Sequence, residues 1–321
     1  MGLRAPVPNA RQHSRSSPDR SSAATDVTRP TLLPVAVAVG VLSISTAAVL
    51  IKRCDDAPTT VIAAARLGIA ALVLLPAAAT RFTRRGGTLQ RRYIGHIVLA
   101  GALLAAHFYC WILSLKHTSV MSSVVIVTTN PIFIGVMSYW LFGERVNRYL
   151  VGAIVLAGAG GVLIAVSDAH AGADAASDPL YGNLLALVGA VMASCYFLVG
   201  RRLRREVHIV AYITPVYAVA AVILLAAALV AGHGFSGYRP ATYAYFVALA
   251  IVPQILGHGL LNWSLRYITA TTVSVFILGE PIGATVLAYF VLGETVAPLQ
   301  VCGGALTLAG ILLAARKAAI S

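Results

Sequence analysis

The sequence predicts an all-α integral membrane protein of about ten transmembrane helices, arranged as two five-helix inverted repeats with cytoplasmic N- and C-termini. Three observations lead there. The first is composition: 59% of the 321 residues are hydrophobic and 11% are charged, with a mean hydropathy of +0.83, whereas a soluble domain carries roughly 25% charged residues. The second is a duplication. Asn130-Pro131 recurs as Glu280-Pro281, Tyr139 as Tyr289, Gly143-Glu144 as Gly293-Glu294 and Gly160 as Gly310, all at an offset of 150 residues. The same offset sets Lys52 on Arg202. The third is the placement of basic residues along the chain.

Apolar stretches of spanning length, about 17–25 residues, recur in order. Helices are expected near 32–51, 59–80, 93–115, 119–142 and 148–166, then near 180–200, 208–231, 241–265, 270–292 and 298–315. In lipid every backbone polar group must be satisfied internally, so these segments read as helices. Residues 1–31, rich in Arg, Ser and Pro, are expected to be a disordered basic cytoplasmic tail. They lack the apolar stretch of a secretory signal. The repeats then cover 32–166 and 180–316, joined by an external linker at 167–179 that holds no Lys or Arg, with 317–321 as a second cytoplasmic tail.

The +13 net charge follows this topology. With the N-terminus inside, nineteen basic residues fall in inside segments and four (Lys52, Arg53, Lys116, Arg239) in outside segments. That asymmetry is the positive-inside pattern, and it argues against a nucleic-acid footprint. An odd number of helices per repeat makes the halves face opposite ways.

Polar residues inside the spans are the candidate site. Glu280 falls about midway along the ninth span, before Pro281, where a charge costs roughly 2.5–3.5 kcal/mol on insertion scales. Its alternative is a protonated Glu bonded to a neighbouring helix. Pro281 removes a backbone donor and frees a carbonyl, leaving a polar notch. The first repeat places Asn130 at the same point, after Thr128 and Thr129. Pro-broken helices at matching positions of two halves point to a central site. Gln254, His258 and Asn262 recur every four residues and share one face of the eighth span, as a cavity wall or as interhelical hydrogen-bonding groups. His107 lies one residue from the repeat position of His258, and either His is a candidate for proton coupling. Arg66, in the second span, holds an anionic group, pairs with Glu280 or snorkels to an interface.

Other features read as structural. Gly143-Glu144 and Gly293-Glu294 close a span and precede a helix, where Gly permits a tight turn and Glu suits a helix N-terminus. Gly152, Gly158, Gly160 and Gly161 are matched by Gly303, Gly304 and Gly310, small residues that let membrane helices approach closely. The four cysteines are scattered without a Cys-x-x-Cys pair and read as packing residues. No phosphate loop, His-Glu-x-x-His or Gly-x-Ser-x-Gly motif occurs. The chain is therefore read as no enzyme, with no cofactor and no metal.

The run Asn262-Trp263-Ser264-Leu265-Arg266-Tyr267, then Ala270 through Glu280-Pro281 to Gly293-Glu294 and Gly303-Gly304, resembles the EamA-type branch of the drug/metabolite transporter superfamily. Leu115-Lys116-His117-Thr118 through Asn130-Pro131, and Arg66 after three alanines, fit the same resemblance. It covers residues 32–316. It implies a ten-helix carrier of small organic metabolites, amino acids among them, whose central cavity lies among the third, fourth, eighth and ninth spans. That cavity would be lined by His107, Asn130, Gln254, His258, Asn262 and Glu280. The expectation is an alternating-access exporter in the cell membrane, with a small-molecule substrate, protons as candidate coupling ion and a homodimer as candidate assembly. A non-transporting scaffold and a channel are the rival readings.

Overall fold

The computed structural model describes Gly2 and residues 31–84, 91–142, 148–170, 178–206, 209–264 and 276–318. By its contacts the chain divides into Met1–Pro30 and Thr31–Ser321, and the described helices lie in the second unit. The helices are α1 (Leu33–Lys52), α2 (Thr59–Arg84), α3 (Ile94–His117), α4 (Val120–Val127), α5 (Asn130–Phe142), α6 (Arg148–His170), α7 (Pro179–Glu206) and α8 (Ile209–Val230). They continue as α9 (Pro240–Leu249), a π-helical segment Ala250–Gly257, α10 (His258–Ser264), α11 (Gly279–Leu292) and α12 (Pro298–Ala318).

Among the described residues eight helical stretches are long and apolar enough to cross a membrane, while Gly279–Leu292 and Pro298–Leu313 are shorter apolar helices. The outward surface fits such surroundings. Leu72 (69% exposed), Val155 (64%), Val222 (64%) and Phe290 (78%) point away from the bundle, where water would penalise them and hydrocarbon does not. This is a multi-pass membrane protein.

Local sequence explains where the helices begin and end. Proline opens α7, α9 and α12, at a position where its missing N–H is not needed and its fixed φ suits the helix. At the far end of α11, Gly293 takes φ +71°, and the amides of Gly293 and Glu294 return to the carbonyls of Tyr289 (3.2 Å) and Ala288 (3.3 Å). This is a left-handed cap that glycine enters without strain. The matching Gly143-Glu144 lies outside the described residues, as do 265–275 in the segment where the ninth span was expected.

Helix partners come in sets that the 150-residue offset exchanges. The most extensive contacts join α6 with α12, α3 with α7 and α2 with α8; α1 lies against α11 and the π segment, and α7 against α4 and α5. Shifting by 150 residues turns the α1–α11 contact into that of α7 with α5, and the α1–π contact into α7–α3. The α2–α8 and α6–α12 pairs map onto themselves.

Two boundaries differ from the expectation. The α6 helix runs to His170, so Ser167 and Asp168 belong to a helix rather than to a linker, and both are buried. The expected fourth span is broken: α4 ends at Val127, Thr128 and Thr129 form a turn, and α5 starts at Asn130.

Candidate functional site

The polar interior is organised by Arg66. It lies about two turns into α2, roughly 10 Å along the axis, and is 1% exposed, so it does not snorkel to an interface. Phe108 of α3 covers the guanidinium face, with the ring centroid 4.4 Å from Cζ, and the Trp111 ring stands at 5.7 Å. Such contacts favour a cation that has lost its water. In the plane of the group, Nε donates to Gln254 Oε1 at 2.9 Å. Glu280 and Tyr217 lie within electrostatic reach of the guanidinium. Among the described residues no ion pair joins Arg66 to Glu280.

Gln254 is 3% exposed and sits in the π segment beside Pro253. Pro253 has no N–H to give the ladder, and the wider π turn is a common local solution, frequently found at functional sites. This irregularity directs the Gln254 carbonyl at α2. The signal in the sequence was Pro253, one residue before Gln254 in an otherwise apolar helix.

His258 follows in α10, half-buried, with Arg66 and His107 within electrostatic reach. His107 packs its ring parallel to Trp111, with centroids 6.1 Å apart and planes at 9°. Its Nδ1 lies 2.9 Å from the Gly189 carbonyl. A carbonyl only accepts, so Nδ1 carries the proton and donates to it. Gln254, His258, His107 and Arg66 thus form one neighbourhood. The Asn262 side chain lies outside the described residues.

The remaining two candidates diverge from each other. Glu280 stands in the first turn of the described α11, where a carboxylate meets the positive end of the helix dipole. Its main-chain carbonyl accepts from Ser45 Oγ of α1 at 3.4 Å. Asn130 performs a local task. Pro131 frees the Val127 carbonyl four residues earlier, and the Asn130 amide nitrogen reaches that oxygen at 2.6 Å and Thr128 O at 3.3 Å. Its side chain repairs the break in its own span, and Asn130 and Glu280 are not equivalent in chemistry despite their equivalent positions.

A second buried polar cluster escaped the sequence reading. Asp168 at the end of α6 is 6% exposed and accepts from Asn183 Nδ2 (2.7 Å), Gln300 Nε2 (2.5 Å), Ser122 Oγ (3.1 Å) and Thr118 Oγ1 (3.4 Å). One carboxylate therefore joins α4, α6, α7 and α12. Nearby, Lys52 at the end of α1 pairs with Glu294 Oε1 at 2.5 Å, and Glu294 Oε2 accepts from Val120 N at 2.8 Å. Glu294 thus serves the N-terminus of α4 in place of the helix that follows it. The α12 terminus is served instead by Gln300, whose Oε1 accepts from Ala297 N at 2.9 Å.

The same end of the bundle holds a third tie. Asp56 accepts from Arg239 N at 2.8 Å and Thr242 Oγ1 at 2.7 Å, capping α9 from another helix pair; Arg239 also pairs with Asp55. The Thr242 hydroxyl and the Arg239 amide hold the Asp56 carboxyl down at about 2. Burial first, then Asp56 and Asp55, push the neighbouring Cys54 thiol up to about 12, which keeps it protonated and unreactive. All four cysteines are unbridged. Among the described residues no group of three or more His, Cys, Asp or Glu side chains could hold a metal ion.

A bundle of apolar helices, clothed in exposed hydrocarbon and holding a desolvated guanidinium near a carboxylate, defines a polytopic membrane protein with a polar interior. The profile of the EamA-like transporter family matches residues 33–166 and again residues 180–316, so the chain belongs to that family and is a membrane transporter. It is 22% identical over 211 residues to "Uncharacterized transporter YetK" of Bacillus subtilis (strain 168), a match spanning 65% of this chain and 63% of that relative. It is 23% identical over 254 residues to "Uncharacterized transporter YyaM" of the same organism, covering 78% and 83% of the two chains. A solved chain described as "Crystal structure of protein" shares the fold with a TM-score of 0.62 at 19% identity, over 90% of this chain and 99% of that one.

Proposed function

We propose that this chain is a secondary transporter of small organic metabolites, amino acids or amines, and that it exports them across the cell membrane by alternating access. The two family-matched segments act as two inverted five-helix repeats, ten spans in all, with both termini cytoplasmic, rocking about a midplane cavity. The exchange of helix partners by the 150-residue offset supports this reading. The end carrying Lys52, Asp56, Asp168, Arg239 and Glu294 is external, as the scarcity of basic residues there requires.

The observation that carries the reading is Arg66, buried in α2 with Gln254 bonded to it and Glu280 within reach. A charge retained in a span at such expense faces a site. Glu280 binds the cationic group of the solute or the coupling proton; His107 and His258 supply further proton-carrying groups, and Asn262 and Asn130 complete the wall and its broken helix. A homodimer is the candidate assembly.

Counterflow of radiolabelled amino acids and polyamines into proteoliposomes tests this. Glu280→Gln is expected to purify as a folded, monodisperse protein and to lose flux by at least about tenfold, the scale of one charge-assisted interaction. Equal flux through both proteins removes Glu280 from the mechanism, and no flux through either leaves only a membrane scaffold.

A further inference from the structure

Two buried donors in the Arg66 neighbourhood have nothing to bond. Arg66 Nη1 and Trp111 Nε1 are both sealed from solvent and without a partner, on side chains 1% and 4% exposed. Leaving such a group unsatisfied is costly, more so when it is charged. Both belong to one packed group of side chains, with the guanidinium carbon 5.7 Å from the Trp111 ring centroid. Two other directions around Arg66 are taken. Phe108 covers a face at 4.4 Å and Gln254 occupies the Nε edge. Nη1 is left without an acceptor.

We propose that Arg66 Nη1 and Trp111 Nε1 are the seat of a carboxylate on the transported solute, which makes the substrate an amino-acid-like carboxylate rather than a simple amine. Each of the two donors could serve an oxygen of one carboxylate, and the guanidinium bond would be charge-assisted. Gln254 locks the guanidinium in plane and Phe108 fixes its tilt, so little ordering is left for the ligand to impose. Glu280, in electrostatic reach of Arg66 yet not ion-paired with it, would balance the ammonium group of the same molecule. The word substrate rests on the transporter reading; the binding of the carboxylate does not.

Thermal unfolding of the full-length chain in detergent, at constant ionic strength, tests the seat with matched pairs: acetate and acetamide, glycine and glycinamide, leucine and leucinamide, phenylalanine and phenylalaninamide. At least one acid is expected to raise the midpoint while its amide does not. Trp111→Phe keeps an aromatic ring but deletes the donor along with part of the indole, so its unliganded midpoint should fall somewhat and, measured from that midpoint, it should bind the acid about tenfold more weakly. Arg66→Met should abolish the acid-specific shift, and Trp140→Phe, at an exposed tryptophan, should leave it intact. If Arg66→Met does not fold, Trp111→Phe decides alone. A flat response to every pair, equal shifts from acid and amide, or a shift that survives Trp111→Phe at full affinity would each overturn the proposal. Counterflow separates the two readings. Amine flux without any acid preference sinks the carboxylate seat and leaves transport standing, whereas acid binding without flux does the reverse.

Discussion

At the scale of single residues, the polar groups of the interior divide into those already satisfied and those left open. Asp168 is of the first kind. Four donors converge on one buried carboxylate, and it offers nothing further to a ligand. Asp168→Asn replaces one of the two oxygens by an NH2, which sets donor against donor at the Asn183 or the Gln300 amide, since each bonds a different oxygen. It is expected to lower the unfolding free energy in detergent by about 2–3 kcal/mol, read from the denaturant midpoint. A midpoint equal to wild type would mean the carboxylate carries no structural role. Arg66 and Trp111 are of the second kind. Arg66 was legible in the sequence because a lone Arg in an apolar helix stands out against every neighbour. Asp168 was not, because an acidic residue beside an Ala- and Gly-rich stretch looks like the start of a loop. Only the partners supplied by α7 and α12 show it to be buried.

At the scale of elements, helix contacts depend on how closely two backbones approach, since lipid gives no hydrophobic drive between helices. The α6–α12 contact shows this residue by residue. A Cβ on Gly160 would lie 2.5 Å from the Gly303 carbonyl, and one on Gly310 would lie 2.8 Å from the Ala153 carbonyl. Gly158 and Gly161, in the same helix, have nothing within 4 Å. Gly160→Ala is therefore expected to destabilise the protein by about 1–3 kcal/mol, and Gly158→Ala to leave it unchanged or slightly stabilised. Thermal midpoints of the two variants, side by side, check the contrast; equal losses would mean the helices do not meet at Gly160. The glycine-rich pattern of α6 announced close packing, but it did not say which two of its glycines face α12. That choice depends on the rotation of each helix about its axis, which neighbours impose.

At the scale of the whole molecule, one end of the bundle is tied by charged side chains that join helices far apart in the chain. Lys52 meets Glu294, Asp168 meets Asn183 and Gln300, and Asp56 caps α9 through Arg239 and Thr242. The Asp56 tie has a pH signature. Its carboxyl is held at about 2 against an ordinary 3.8, so the folded state favours the ionised form. The stabilisation is complete above the unfolded value and is lost as pH falls from about 3.8 through about 2. Wild type should exceed Asp56→Asn in thermal midpoint at pH 6, with the difference closing as the pH approaches 2. A difference constant with pH would show that the aspartate acts through shape rather than charge. The group is exposed at the surface, so the effect should also shrink in high salt.

By itself the sequence determined that this is a multi-pass membrane protein of the EamA-like family, because hydropathy, charge asymmetry and a repeat offset are properties of the chain that no packing alters. It also singled out the residues whose charge inside lipid demands an explanation. What the tertiary structure alone decided is which of those demands are already met. Asn130 spends its amide on the carbonyl that Pro131 frees, and Glu294 reaches across to α1 and α4. Arg66 is gripped by Phe108 and Gln254 yet leaves Nη1 without a partner. Whether a polar group is satisfied depends on partners far away in the chain, brought near by helix rotation and by irregular turns such as the π segment at Pro253, and spacing along one helix does not encode them.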